Sequence, residues 1–191
     1  MSLLFFRRVL ANPLRVGYVV PSSPFLTRQT ARRLDFSTPR VVVELGPGEG
    51  CHTRQIVRRM CPSSRLVLFE LDEHFVGHLR EQFAGDKRVT VLHADARDLL
   101  HELEKAGIPR VDYIVSGLPF FLIKSPLKEE LLGAISGAMD EKTRFVTYQV
   151  SLQLSGERHL FELDRREYCP LNIPPINVLE FRKAAGRTNG A

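Results

Sequence analysis

Val41-Val42-Val43-Glu44-Leu45-Gly46-Pro47-Gly48-Glu49-Gly50 is the stretch that decides the fold. Three β-branched residues open it and three alternating glycines close it, which predicts a buried strand running straight into a tight turn. A strand that hands over to a helix through glycines is how an α/β domain begins, and it lets a ligand approach bare backbone. A dinucleotide turn reads G-x-G-x-x-G, with the pyrophosphate on the following helix N-terminus. Here the third glycine comes one position early and Cys51 holds the sixth place. Glu44 and Glu49 would repel a pyrophosphate and suit a cationic ligand.

Outward from the turn, helix and strand alternate. Residues 51–60 predict the first crossover helix, and Arg65–Glu70 a second buried strand. Glu70 closes that strand at the spacing that places a carboxylate on ribose hydroxyls. Asp72 is the alternative, its other role being the N-cap of a helix over 73–83. Val89–Leu92 predicts a third strand, after which Asp95 serves an adenine amino group, caps a helix over 97–105, or both.

Val111–Val115 predicts a fourth strand and runs into Ser116-Gly117-Leu118-Pro119-Phe120-Phe121. Open α/β sheets hold ligands at the carboxyl ends of their strands, so this loop is the candidate reaction site. Pro119 stiffens it, Gly117 permits close approach, and the aromatic residues offer π-faces to a cation or an adenine ring. Phe121 reads equally as a core residue. A helix over 126–139 and a strand over Thr143–Ser151 follow, where Tyr148 either lines the substrate pocket or packs in the core. Gln153–Arg166 reads as a polar, partly mobile segment beside the site. Asn172-Ile173-Pro174-Pro175 leads into a last strand, Ile176–Phe181, the two edges forming an antiparallel hairpin, and 184–191 reads as a disordered tail.

With 191 residues, 43% hydrophobic and 26% charged, the chain has the make-up of one globular domain. It holds no apolar run of about 18 residues, the length a membrane span needs. No cleavable secretory signal is expected, because the first apolar residues precede Arg7 and Arg8 and no small-residue cleavage site follows. Cys51, Cys61 and Cys169 show no metal-type spacing and cannot all pair, which points to a reducing cytoplasm. The first 40 residues carry seven arginines against Asp35, a local +6 in a chain that is +5 overall. The basic excess therefore belongs to the N-terminal segment and suggests an anionic surface, membrane or nucleic acid. Residues 2–11 predict a short helix with Leu3, Phe5, Phe6, Val9 and Leu10 on one side and Arg7 and Arg8 opposite, ended by Asn12-Pro13. Such a helix sinks into a membrane interface or packs on its own domain. Residues 14–25 form a loop, with Pro21-Ser22-Ser23-Pro24 capping a helix from Phe25 to Leu34; the loop closes over the cofactor or merely connects.

Glu44-x-Gly46-x-Gly48-x-Gly50 is similar to the turn of Rossmann-like class I S-adenosylmethionine methyltransferases. Together with Asn12-Pro13-Leu14-Arg15-Val16-Gly17, Pro21-Ser22-Ser23, Glu70-Leu71-Asp72 and Ser116-Gly117-Leu118-Pro119-Phe120, most of the chain resembles the bacterial phospholipid N-methyltransferases. That resemblance implies a mostly parallel central sheet with helices on both faces and an N-terminal helical extension over 1–40, followed by the methyltransferase domain over 41–183. It implies S-adenosyl-L-methionine as cofactor, held by Glu44, Gly46, Gly48, Gly50, Glu70, Leu71, Asp95, Ala96 and Ser116, with no metal. It implies that Gly117, Leu118, Pro119 and Phe120 border the lipid headgroup, with Tyr18, Ser22 and Tyr148 lining the same site. The implied substrate is phosphatidylethanolamine and the implied partner an anionic membrane surface at the inner face of the cytoplasmic membrane, bound through residues 2–11 by a monomer without nucleic acid. The related ribosomal RNA adenine dimethyltransferases are the alternative. Their loop usually reads Asn-Leu-Pro-aromatic where Ser116-Gly117 stands here, and they carry a C-terminal helical domain. A membrane-binding module that keeps the cofactor fold without catalysis is the remaining reading.

Overall fold

The computed structural model describes residues 22–185. The helix expected over 2–11, Tyr18 and most of the tail over 184–191 lie outside the described residues. In chain order the helices are α1 (Pro24–Ala31), α2 (Cys51–Arg59), α3 (Glu73–Gln82), α4 (Leu99–Lys105) and α5 (Leu127–Gly137). The strands are β1 (Val41–Leu45), β2 (Arg65–Glu70), β3 (Val89–His93), β4 (Tyr113–Ser116), β5 (Arg144–Gln149), β6 (Phe161–Cys169) and β7 (Ile176–Lys183). They form one sheet in the order β3-β2-β1-β4-β5-β7-β6. The first five are parallel, whereas β7 runs antiparallel to both β5 and β6. Strand order reverses between β1 and β4, the switch point at which such sheets open a crevice.

β1 is buried from Val42 to Leu45, so its apolar residues serve two faces rather than one. Val43, Leu45, Val67 and Phe69 face the layer of α4 and α5. Val42, Leu66, Leu68 and Val115 face α2 and α3. α1 joins that second layer through Leu26, which packs with Val146, Cys169 and Val178. Its start follows from sequence: Pro24 sits in the first turn, and Ser23 Oγ accepts from Leu26 N at 3.2 Å. The described part of the N-terminal segment thus packs on the sheet of the main domain. No helix among the described residues is long and apolar enough to cross a membrane.

One expectation needs correction. The segment over Gln153–Arg166 is a short 3₁₀ turn, Gln153–Gly156, followed by the nine-residue strand β6. β6 shows no alternation because it is the sheet's outermost strand and is exposed on both faces between Phe161 and Cys169. Cross-strand ion pairs hold it, Arg182 with Glu162 and Asp164 at 3.1 and 3.3 Å. Charges on such a rim also discourage pairing with another chain.

Candidate active site

The glycine turn and the loop after β4 meet directly. Gly46 has φ of 68°, a left-handed conformation that favours glycine, and a Cβ there would lie 2.7 Å from Leu118 Cδ2. Gly48 N donates to Glu70 Oε2 at 3.0 Å, while Glu70 Oε1 accepts from Leu71 N and Asp72 N at 2.8 and 3.0 Å. One carboxylate thereby ties the turn after β1 to the turn after β2. Burial raises its pKa against the pull of these three amides. Asp72 accepts from His74 N and Phe75 N and is the N-cap of α3. Asp95 caps the 3₁₀ turn Ala96–Asp98 and binds Arg97 at 2.9 Å, so it stands at the same edge with its carboxylate engaged. Ala96 is buried beside it.

Glu44 is the unusual group of the set. It is 1% exposed, accepts from Thr53 Oγ1 at 2.8 Å, and leaves Oε1 buried without a partner. Desolvation is the main cause pushing its pKa up to about 7, with Glu70 adding repulsion. A buried carboxylate oxygen with nothing to bind fits a cationic ligand group. Because the folded pKa lies above the ordinary 4.5, Glu44 costs stability progressively as pH rises from 4.5 to 7, and the full cost of about 3 kcal/mol applies above that. Glu44→Gln is therefore expected to raise the melting temperature of the free protein at pH 8 but not at pH 4, and to weaken cofactor binding. Thermal melts at both pH values and a calorimetric titration check this.

The loop after β4 is shaped from behind by β5. Thr147 Oγ1 donates to Ser116 O at 2.9 Å and Gln149 Nε2 donates to Leu118 O at 2.8 Å. Ser116 is fully buried, its Oγ accepting from Leu118 N at 3.2 Å, so this residue folds the loop. Phe120 is buried and packs edge-on against Phe145 at 6.1 Å, bracing the loop from the core. Tyr148, between Thr147 and Gln149, points to the opposite face, and its hydroxyl lies where a Cβ on Gly117 would be. Burial and the nearby Glu44 hold the Tyr148 phenol well above its usual pKa, hence protonated.

Residues not singled out from sequence complete the site. His52 on α2 stacks on Tyr148 with ring centroids 3.9 Å apart. It is buried with both ring nitrogens unpartnered, and desolvation lowers its pKa to about 3, so the ring is neutral. Thr53 braces Glu44, and Thr147 and Gln149 brace the loop. The polar positions of β5 that alternate around Tyr148 were a readable signal for the last two.

The structure thus gathers Glu44, Gly46, Gly48, Glu70, Leu71, Ser116, Gly117, Leu118 and Tyr148 at the carboxyl ends of β1, β2, β4 and β5. Tyr18 lies outside the described residues. The donor set, acidic and open at glycines, fits a cationic nucleoside such as S-adenosylmethionine: Glu70 for ribose, Glu44 for an ammonium group.

Comparison with known proteins agrees with this fold. The family model for ribosomal RNA adenine dimethylase matches residues 22–120. The ornithine lipid N-methyltransferase of Singulisphaera acidiphila is 32% identical over 177 residues, covering 92% of each chain. Ribosomal RNA small subunit methyltransferase A of Parasynechococcus marenigrum is 30% identical over 114 residues, which span 60% of this chain and 36% of that one. The crystal structure of 1,6-didemethyltoxoflavin-N1-methyltransferase from Burkholderia thailandensis, with S-adenosylhomocysteine bound, superposes with a TM-score of 0.67 at 15% identity, covering 95% of this chain and 87% of that one. With this fold, this site and a likeness to a lipid methyltransferase along nearly its whole length, the chain belongs to the ribosomal RNA adenine dimethylase family in its broad sense, on the lipid N-methyltransferase branch, and is an S-adenosylmethionine-dependent methyltransferase.

Proposed function

We propose that the chain methylates the primary amine of a membrane lipid headgroup, phosphatidylethanolamine and its mono- and dimethyl forms, as a monomer at the cytoplasmic face of a bilayer. The observation that carries this reading is the contact of Gly46 with Leu118, which sets the cofactor turn against a loop suited to an amine. Ser116 O and Leu118 O are held by β5, and Pro119 O accepts from Leu122 N at 2.9 Å. Among the described residues no hydrogen bond reaches the Gly117 carbonyl. A carbonyl that accepts one amine N–H orients the neutral lone pair and tolerates the cation that forms. The protonated Tyr148 hydroxyl beside Gly117 gives the amine a second oxygen. When bound, the cofactor supplies an electrophilic methyl group on a sulfonium. The basic, apolar residues 2–11 are the proposed membrane anchor.

The ornithine lipid of the full-length relative is the second substrate to test, since it offers the same chemistry of a flexible primary amine near an anionic group. The RNA reading rests on the family model, but the rRNA methyltransferase relative is matched over only 36% of its length. Expression in a bacterium whose membrane holds phosphatidylethanolamine and no methylated derivative tests the proposal. Mass spectra of the lipid extract are expected to show mono-, di- and trimethylated headgroups. Unchanged lipids with newly methylated ribosomal RNA would overturn it.

A further inference from the structure

The tip of the β6–β7 hairpin, residues 170–175, is not used by the site described above. Asn172 in it is buried; its Oδ1 accepts from Ser23 N at 2.9 Å and its Nδ2 donates to Pro174 O at 2.8 Å. With Asn172 pinned inward to the start of α1, its neighbours Leu171 and Ile173 are 61% and 74% exposed. Phe25, two residues beyond Ser23, is 55% exposed, and Leu152, just past the end of β5, is 39% exposed. β7 begins and β6 ends where β5 ends, Gln149 pairing with Asn177, so all four apolar groups stand at the carboxyl edge of the sheet. β7 lies two strands from β4, about 10 Å from the reaction loop at ordinary strand spacing.

Apolar side chains grouped on a surface mark a contact with membrane or protein. Charge decides between them here. Arg28 on α1 and Lys124 after the β4 loop stand at this end, and neither pairs with a carboxylate among the described residues. Glu167, the acid nearest the tip on β6, is taken by Arg33. The exposed Glu49 and the acids Asp72 and Asp95 stand on the cofactor side, along β1 to β3. The described chain begins at Ser22 in the same corner, where residues 1–21, with Arg7, Arg8 and Arg15 among apolar residues, are attached.

We propose that residues 170–175, with Phe25 and Leu152, form a lip that inserts into the interface of an anionic bilayer beside the substrate mouth, holding the site at headgroup level. This rests on the aminolipid reading and adds to it a second membrane contact, independent of residues 2–11. Leu171 and Ile173 sink among the upper acyl chains while the cations meet lipid phosphates.

The chain contains no tryptophan, so Ile173→Trp creates a single reporter in the full-length protein. Vesicles of phosphatidylethanolamine and phosphatidylglycerol are expected to shift its emission to the blue, and brominated acyl chains to quench it. The double variant Leu171→Asp with Ile173→Asp is expected to lose at least about tenfold in vesicle binding while cofactor affinity and melting temperature hold. Leu163→Asp, at the far end of β6, is expected to change nothing. An unshifted emission from the Ile173→Trp protein on vesicles whose lipid it does methylate would overturn the lip and leave the function standing. A blue shift that needs no lipid and grows with protein concentration would assign the face to a second copy, also overturning it. A lipid-dependent shift with no lipid methylated would support the lip and remove the proposed function.

Discussion

Gly117→Ala is expected to lower kcat/KM for the amine substrate at least about 100-fold while leaving cofactor affinity unchanged. The reason is steric and local. The Tyr148 hydroxyl occupies the place an alanine methyl would take, and Tyr148 is held on its other side by His52, stacked at 3.9 Å. The loop cannot recede either, because Thr147 and Gln149 grip Ser116 O and Leu118 O. The added methyl group therefore displaces the Gly117 carbonyl or the Tyr148 ring, and both face the amine in the proposed reaction. Misplacing a reacting atom by about 1 Å costs on the order of 100-fold. Adding Tyr148→Phe removes the colliding oxygen and is expected to recover part of the rate, a coupling that independent sites would not show. Steady-state kinetics on the two single variants and the double variant measure it. A Gly117→Ala enzyme of normal activity would mean that the loop does not hold the amine.

The second large effect is expected at Glu70. Glu70→Ala should weaken cofactor binding by at least about 100-fold, because hydrogen bonds to a charged group are worth roughly 1.5–3 kcal/mol each. The carboxylate is also the link between the turns after β1 and β2, accepting from Gly48, Leu71 and Asp72. Glu70→Gln keeps an oxygen acceptor and should lose less. Calorimetric titration with S-adenosylhomocysteine orders the three proteins, and an alanine variant that binds like the parent would exclude Glu70 from the ribose role.

The interior of the fold was legible because its signals are local. Val41–Leu45 and Arg65–Glu70 are short apolar runs closed by a glycine turn and an acid, and both are buried strands in the structure. Asp72 could be read as a cap because capping depends on the next three residues alone. β6 was hidden, since an edge strand exposed on both faces leaves no alternation to read and looks like a charged loop. The site was legible as loops but not as contacts. That Gly46 abuts Leu118, or that His52 on α2 stacks on Tyr148 of β5, depends on contacts between residues 72 and 96 apart in the chain. The buried state of Glu44 was equally out of reach, because a carboxylate within an apolar strand does not reveal whether Thr53 or solvent meets it.

The most direct test of the lipid-amine account offers the purified protein labelled S-adenosylmethionine with three acceptors in parallel. These are phosphatidylethanolamine vesicles containing anionic lipid, the same vesicles with ornithine lipid, and undermethylated small-subunit ribosomal RNA. The account predicts label in the lipid fraction, on the headgroup amine, at an initial rate at least about 100-fold lower with the Gly117→Ala variant. Label confined to the RNA would contradict it.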